Sequence, residues 1–274
     1  MSKYIFRAKS SSGHVFKVLA EILQTNLKTS CFQIKKEGIF LRQMDDNRST
    51  LIDLRLRAEN FDSFEFNPVS VHGESSFFIG LTLTHLYKLL KTVKKKDAIK
   101  LSILREEPTE ISIAVKSKDK NRTTTSFLKI QRVQNILVDI PVGYDMPPVV
   151  IPSCEFQKIY KDILSIGKTV QISTKENTVQ FDVDAGGIVK RRVEYRNGSD
   201  EEDNNSDSEA DEIRYSEIFD TEQLVKLAKM SNLSTSLSIC AEKNLPLVVF
   251  SNTGNLGDIH IYVKTKKQIA HTVV

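Results

Sequence analysis

The sequence has no apolar run approaching the roughly 18 residues that cross a bilayer, so no membrane span is expected. Its first residues, MSKYIFRAKSSSG, carry no hydrophobic signal segment, which predicts a chain that is not secreted. Cysteine is scarce. Cys31, Cys154 and Cys240 are odd in number, lie far apart, and form neither a CxxC pair nor a Cys/His ligand set. They read as reduced structural thiols of a cytosolic or nuclear protein, with no metal site. Catalytic signatures are missing as well. The five histidines are scattered, and there is no P-loop, no glycine-rich phosphate cradle and no nucleophile–base pair. Asp45, Asp46 and Asp53 raise a metal-dependent nuclease as the enzymatic alternative. However, Asp45 and Asp46 are adjacent on a chain leaving a strand, and no His or Glu accompanies them at ligand spacing. The expectation is a protein without intrinsic catalysis and without a cofactor.

What is present is a chain of 274 residues, 40% hydrophobic, long enough for one large domain or two of about 130 residues. Its net charge of +4 hides an asymmetry. Residues 200–212, DEEDNNSDSEADE, hold eight acidic residues and no Lys or Arg, so the rest of the chain carries +12. The run reads as a disordered surface loop, with Ser206 and Ser208 as candidate phosphorylation sites. A basic remainder suits a polyanion such as nucleic acid, and also suits a protein kept soluble by lysine.

The chain looks duplicated. SGHVFKVLAEILQTN reads as a helix, followed by a strand pair around SCFQIKKEGIFLRQMDD. SCEFQKIYKDILSIG reads as a second such helix, followed by KTVQISTKENTVQFDVD. An apolar residue precedes Gln-Ile in both copies, at Phe32-Gln33-Ile34 and Val170-Gln171-Ile172. Later helices, LTLTHLYKLLKTVKKKD and DTEQLVKLAKM, are each followed by a strand containing Leu-Ser-Ile. Corresponding elements lie roughly 135 to 140 residues apart, the mark of two copies of one fold. Alternating apolar residues elsewhere predict α+β domains of antiparallel sheets with two helices each. The expected boundaries are 1–129, a connector at 130–148, and 149–274. The connector, IQRVQNILVDIPVGYDMPP, is apolar at Ile136, Leu137, Val138 and Ile140. It fits a strand packed on its own domain as well as a segment that presents apolar side chains to a partner.

All four helices expect lysine on the outer face. In the first, Phe16, Leu19 and Leu23 point in while His14, Lys17, Glu21 and Gln24 point out. In the second, Lys88, Lys91 and Lys95 oppose Leu83, Leu86, Leu90 and Val93. In the third, Lys158, Lys161 and Lys168 form one basic row opposite Phe156, Ile159, Ile163 and Ile166. In the fourth, Lys226 and Lys229 oppose Leu224 and Leu227, with Asp220 or Thr221 as N-cap. Lysine is a flexible point charge that suits phosphates and reads base edges poorly. With no recognition helix and no aromatic ladder, the expected contact is the duplex backbone, independent of sequence.

Several stretches resemble the sliding clamp family of the proliferating cell nuclear antigen type. They are EGIFLRQMDDNRSTLIDLRLRAENFDSFEF with its Met-Asp pair, LYKLLKTVKKKDAIKLSI, IPSCEFQKIYKDILSIGKTVQIS, NLSTSLSICAEKNLPLVVFS and GDIHIYVK. Together they span nearly the whole chain. The resemblance implies three subunits closed head to tail into a ring, with helices on the inner wall around DNA. Lys17, Lys88, Lys91, Lys158, Lys161 and Lys229 fall at the family's basic inner-wall positions; Lys168 and Lys226 are added by helix geometry. It also implies a docking groove for motif-bearing polymerases, ligases and nucleases, at Met44, Arg48, Leu51, Val138, Ile140, Tyr144, Pro246 and Val263, and a clamp loader. Family geometry pairs Thr123–Gln131 of one subunit with Thr178–Asp184 of the next, with Phe127, Leu128 and Phe181 as apolar anchors. The implied location is the nucleus, or a cytoplasmic replication site for a viral member. Arg48 replaces the histidine of many clamps, the acidic run is longer than usual, and the acidic C-terminal tail is missing. A monomeric processivity subunit and a heterotrimeric checkpoint-type clamp are the competing readings.

Overall fold

In the computed structural model, residues 2–68, 76–118, 121–134, 136–175, 177–197 and 213–271 are described. The acidic run 200–212, with Ser206 and Ser208, lies outside the described residues. In chain order the first elements are β1 (Tyr4–Ser10), α1 (Gly13–Asn26), β2 (Thr29–Lys35), β3 (Gly38–Met44), β4 (Thr50–Arg57), β5 (Ser63–Phe66), β6 (Ser76–Thr82), α2 (Leu83–Leu90), β7 (Ala98–Leu104), β8 (Glu110–Lys116) and β9 (Thr123–Lys129). Then come β10 (Val149–Pro152), α3 (Ser153–Leu164), β11 (Thr169–Thr174), β12 (Thr178–Asp184), β13 (Lys190–Arg196), β14 (Tyr215–Asp220), α4 (Thr221–Leu227), β15 (Ser236–Cys240), β16 (Leu247–Asn252), β17 (Gly257–Val263) and α5 (Lys266–Ala270). The chain forms two compact units. One comprises Met1–Asp46, Ile52–Val138 and Asn252–Ile259; the other comprises Asn47–Leu51, Asp139–Ser251 and His260–Val274.

The duplication predicted from spacing is present in the strand pairing. In unit one, β2 is flanked by β3 and β6, and β1 pairs with β7, all antiparallel. In unit two, β11 is flanked by β12 and β14, and β10 pairs with β15, again antiparallel. This is an α+β architecture of two similar domains.

Period-two alternation sets which residues form each core. Along β1, Phe6, Ala8 and Ser10 turn inward beside Ile103, Leu101 and Ile99 of β7. Helix α1 covers them with Phe16, Leu19 and Leu23, and the rings of Phe16, Phe61, Phe64 and Phe6 form a chain of contacts 5.3 to 6.2 Å apart. In unit two, Phe156 and Tyr160 of α3 lie 4.3 Å apart, and Tyr160 meets Phe181 of β12 at 6.3 Å. Tyr160, Phe156 and Phe181 are all fully buried, and each such side chain contributes about 1.5–3 kcal/mol through lost water contact.

One expectation is corrected and one element is added. Among the described residues a short fifth helix, α5, follows β17. Thr265 accepts from the Gln268 backbone at 3.1 Å while Gln268 reaches back to the Thr265 N–H at 3.0 Å, a reciprocal capping box. In addition, Ile166 lies beyond the end of α3 and is only half-buried, while Tyr160, not expected on the inner face, is buried. Asp220 is the N-cap of α4, but its carboxylate pairs with Lys266 at 3.2 Å instead of capping, and Thr221 Oγ1 donates to the Gly167 carbonyl.

Candidate nucleic-acid interface and docking face

In unit one, α1 is buried over most of its circumference. His14, Lys17, Glu21, Gln24 and Thr25 form a less buried stripe, the outer face expected from the spacing, with Val15 and Asn26 also half-buried. Burial lowers the His14 pKa, and repulsion from Lys17 and Lys95 lowers it further. Glu21 on the same helix opposes the shift. Helix α2 ends at Leu90, with Lys88 in its last turn and Lys91 at its C-cap, both exposed. Lys94, Lys95 and Lys96 follow, exposed, in a turn held by the Asp97 carboxylate on the Lys94 N–H at 2.9 Å.

In unit two, Lys158, Lys161, Lys168 and Lys229 are exposed and Lys226 is half-buried. The expected purely basic row on α3 is corrected. Glu155 shares its face and holds the Lys158 ammonium at 2.7 Å, which raises the lysine pKa. Asp162 is exposed beside them and pairs with Arg191 of β13 at 3.7 Å. Among the described residues no carboxylate pairs with Lys161. Lys168 and Lys226 line a solvent-open cleft of about 640 Å³ together with Asp220 and Glu222, so these cations also sit among acids. Lysines in the last turns of α2, α3 and α4 (Lys88, Lys161 and Lys226) also face the negative helix end, worth about 0.3–1 kcal/mol each. Helix stability thus accounts for part of the lysine pattern.

The acidic residues considered for catalysis have structural partners. Asp53 is buried on β4 and accepts from Arg42 at 3.0 Å and from Arg55 at 2.7 Å. Asp46 pairs with Lys28 at 3.1 Å. Among the described residues no group of three His, Cys, Asp or Glu side chains is arranged to hold a metal.

The expected docking residues fall into two kinds. Leu51 and Val263 are core side chains, 3% and 0% exposed, and offer no contact surface. Arg48 is exposed in a left-handed conformation, φ 54°, and Met44, Val138, Ile140 and Pro246 are half-buried. Tyr144 fastens the connector within unit two. Its hydroxyl donates to the Pro246 carbonyl at 2.8 Å, and its ring lies 6.4 Å from Tyr262. The most exposed apolar side chains of the connector are Leu137 at 91%, Val142 at 82% and Ile136 at 69%. Val142 was not anticipated, since it is separated from the apolar run by Pro141. The connector begins where Gln131 pairs with Gly80 of β6. A Cβ on Gly80 would lie 2.5 Å from the Gln131 carbonyl, so this crossing requires glycine.

The expected subunit edge is also corrected. Strand order in the four-stranded sheet is β13-β12-β11-β14, so β12, Thr178–Asp184, is interior and Phe181 is fully buried. Among the described residues the edges of this sheet are β13 and β14; on β13, Lys190, Arg191, Arg192 and Arg196 pair with Asp184, Asp162, Asp182 and Glu194. In the five-stranded sheet, β5-β1-β7-β8-β9, strand β9 is an edge. Phe127 stands 59% exposed on it, whereas Leu128 is buried in its own core.

Known proteins place this geometry in a family. The family models for the N-terminal and C-terminal domains of proliferating cell nuclear antigen match residues 5–137 and 142–271. Proliferating cell nuclear antigen from Chaetomium thermophilum is 24% identical over 96% of this chain and 98% of its own. The protein named probable DNA polymerase sliding clamp 1 from Paramecium bursaria Chlorella virus 1 is 22% identical over 94% and 96%. The crystal structure of the corresponding protein from Entamoeba histolytica superposes with a TM-score of 0.78 at 20% identity, covering 96% of this chain and 99% of that one. The chain belongs to the proliferating cell nuclear antigen family.

Proposed function

We propose that the chain is a DNA sliding clamp, a ring around duplex DNA that keeps a polymerase on its template and offers replication and repair proteins a docking platform. The family's clamps act as processivity factors without catalysis, and we assign no catalytic step to this chain. The observation that carries the reading is repetition: a pair of lysine-bearing helices recurs in both units. Lys17, Lys88, Lys91, Lys161 and Lys229 are the principal phosphate contacts, Lys168 and Lys226 are secondary, and Lys158 joins them only by leaving Glu155. Ammonium groups on flexible stems meet phosphates without fixing a register, so the contacts are weak and mobile. Encirclement then supplies the residence time.

Ring closure uses two free edges. β9 with exposed Phe127 on one subunit meets β13, with half-buried Val193 and Tyr195, on the next, and a head-to-tail contact of this kind closes at three copies. The β13 cations already have carboxylate partners, so the edge brings little net charge to the contact. Motif-bearing partners, the polymerase among them, dock on the connector through its most exposed apolar side chains, Ile136, Leu137 and Val142. A clamp loader and a nuclear or replication-site location follow from the same reading. The test is native mass in solution together with stimulation of a polymerase on a long primed template. Three subunits, and stimulation lost in a Lys88→Glu, Lys91→Glu, Lys161→Glu variant of unchanged mass, are the expected results. A monomer at micromolar concentration would count against a ring.

A further inference from the structure

We infer that the outward face of the five-stranded sheet in unit one is a second polyanion site, fitted to the backbone of single-stranded nucleic acid. Alternation turns Phe6, Ile99, Leu101, Ile111 and Ile113 toward the core, and the same alternation puts Arg7, Lys9, Lys100 and Lys116 on the opposite face. Lys9 and Lys100 are direct cross-strand partners, an arrangement of like charges that destabilises a sheet. Lys116 is diagonal to Lys100, because Lys100 faces Ala114. Arg7 and Lys100 converge on one ring: their charged groups lie 5.5 and 5.8 Å from the centroid of Tyr4. Glu65 approaches Arg7 at 4.0 Å; among the described residues no carboxylate pairs with Lys9, Lys100 or Lys116. An anion held between these cations relieves their repulsion.

The shape of the patch selects the anion. Its floor is Ser102, Ser112 and Ala114, which gives no apolar pocket for peptide side chains, although Phe127 flanks the rim. β1, β7 and β8 are interior strands, so no backbone edge is open to an added peptide strand. From β1 to β8 the patch is about 10 Å wide, enough for one phosphodiester chain. This site does not depend on the ring: it lies on the other side of the sheet from α1.

The test is anisotropy with a labelled linear oligothymidylate across a salt series. A Lys9→Glu, Lys100→Glu, Lys116→Glu variant is expected to bind at least tenfold more weakly. The milder Lys→Gln triple variant flattens the log–log salt slope by about 2, at ~0.7 per cation. Lys88→Glu with Lys91→Glu weakens oligothymidylate binding less than the sheet-face Glu triple variant does, and the sheet-face variant still stays on closed circular duplex. Wild-type affinity in both sheet-face variants overturns the proposal. So does a loss confined to binding of an acidic peptide, such as one of sequence DEEDNNSDSEADE.

Discussion

The helix lysines are not equivalent, and the difference is measurable. Lys158 is held by Glu155 at 2.7 Å, whereas Lys161, one turn on, has no carboxylate partner among the described residues. A cation already neutralised by a carboxylate releases little counterion when it meets a phosphate. An unpaired one contributes about 0.9 to the log–log salt slope. In the proposed ring of three, Lys161→Ala would remove three contacts. Over a fourfold rise in salt each is worth about 3.5-fold in affinity, so the salt sensitivity of duplex binding falls by about 40-fold in total. Lys158→Ala changes the slope far less. Glu155→Gln frees the Lys158 ammonium and makes the slope steeper than in the wild type. The assay is anisotropy of a short labelled duplex titrated with each variant from low to moderate salt. Equal slopes for Lys158→Ala and Lys161→Ala would refute the reasoning, as would a flatter slope in Glu155→Gln.

Other predictions follow from packing and burial. Burial holds the Tyr160 and Tyr215 phenols above their ordinary 10.0, so above that pH the folded chain keeps protons that the unfolded chain releases. Stability is therefore full below pH 10 and falls above it by about 1.4 kcal/mol per pH unit for each phenol; urea melts should show that Tyr160→Phe flattens this fall. Asp53→Asn leaves Arg42 and Arg55 without their shared carboxylate and should cost about 2–4 kcal/mol in thermal unfolding, with no effect on any divalent-metal response. Leu137→Asp with Val142→Asp touches only exposed side chains, so melting should be unchanged while binding of motif peptides drops at least tenfold by calorimetry. Retained affinity would remove the connector from the docking face.

The parts of the fold read from sequence were those written in apolar alternation. β12 and β15 bury alternate positions over most of their length, whereas β2, β7 and β11 also bury the positions between. β13 was missed for the opposite reason. KRRVEYR keeps only Val193 and Tyr195 as inward apolar residues and fills the rest with charge, which is how an edge strand avoids unwanted pairing. Phe181 was assigned to a subunit contact from family geometry, but the folded sheet places β12 between β11 and β13 and buries its ring. The Glu155–Lys158 pair was legible at a spacing of three on one helix. The Asp162–Arg191 pair was not, because only the folded sheet brings β13 to α3. Thr265 and Gln268 carried a capping signal that sequence alone could have yielded, and it was passed over in a lysine-rich ending.

The central claim is encirclement, and retention on closed DNA tests it most directly. The protein is loaded with its loader onto a nicked circular duplex, moved into high salt to remove electrostatic binding, and measured before and after a single restriction cut. The account predicts that it remains bound to the circle and leaves within minutes of linearisation. Loss from the intact circle in high salt, or persistence after the cut, would contradict it.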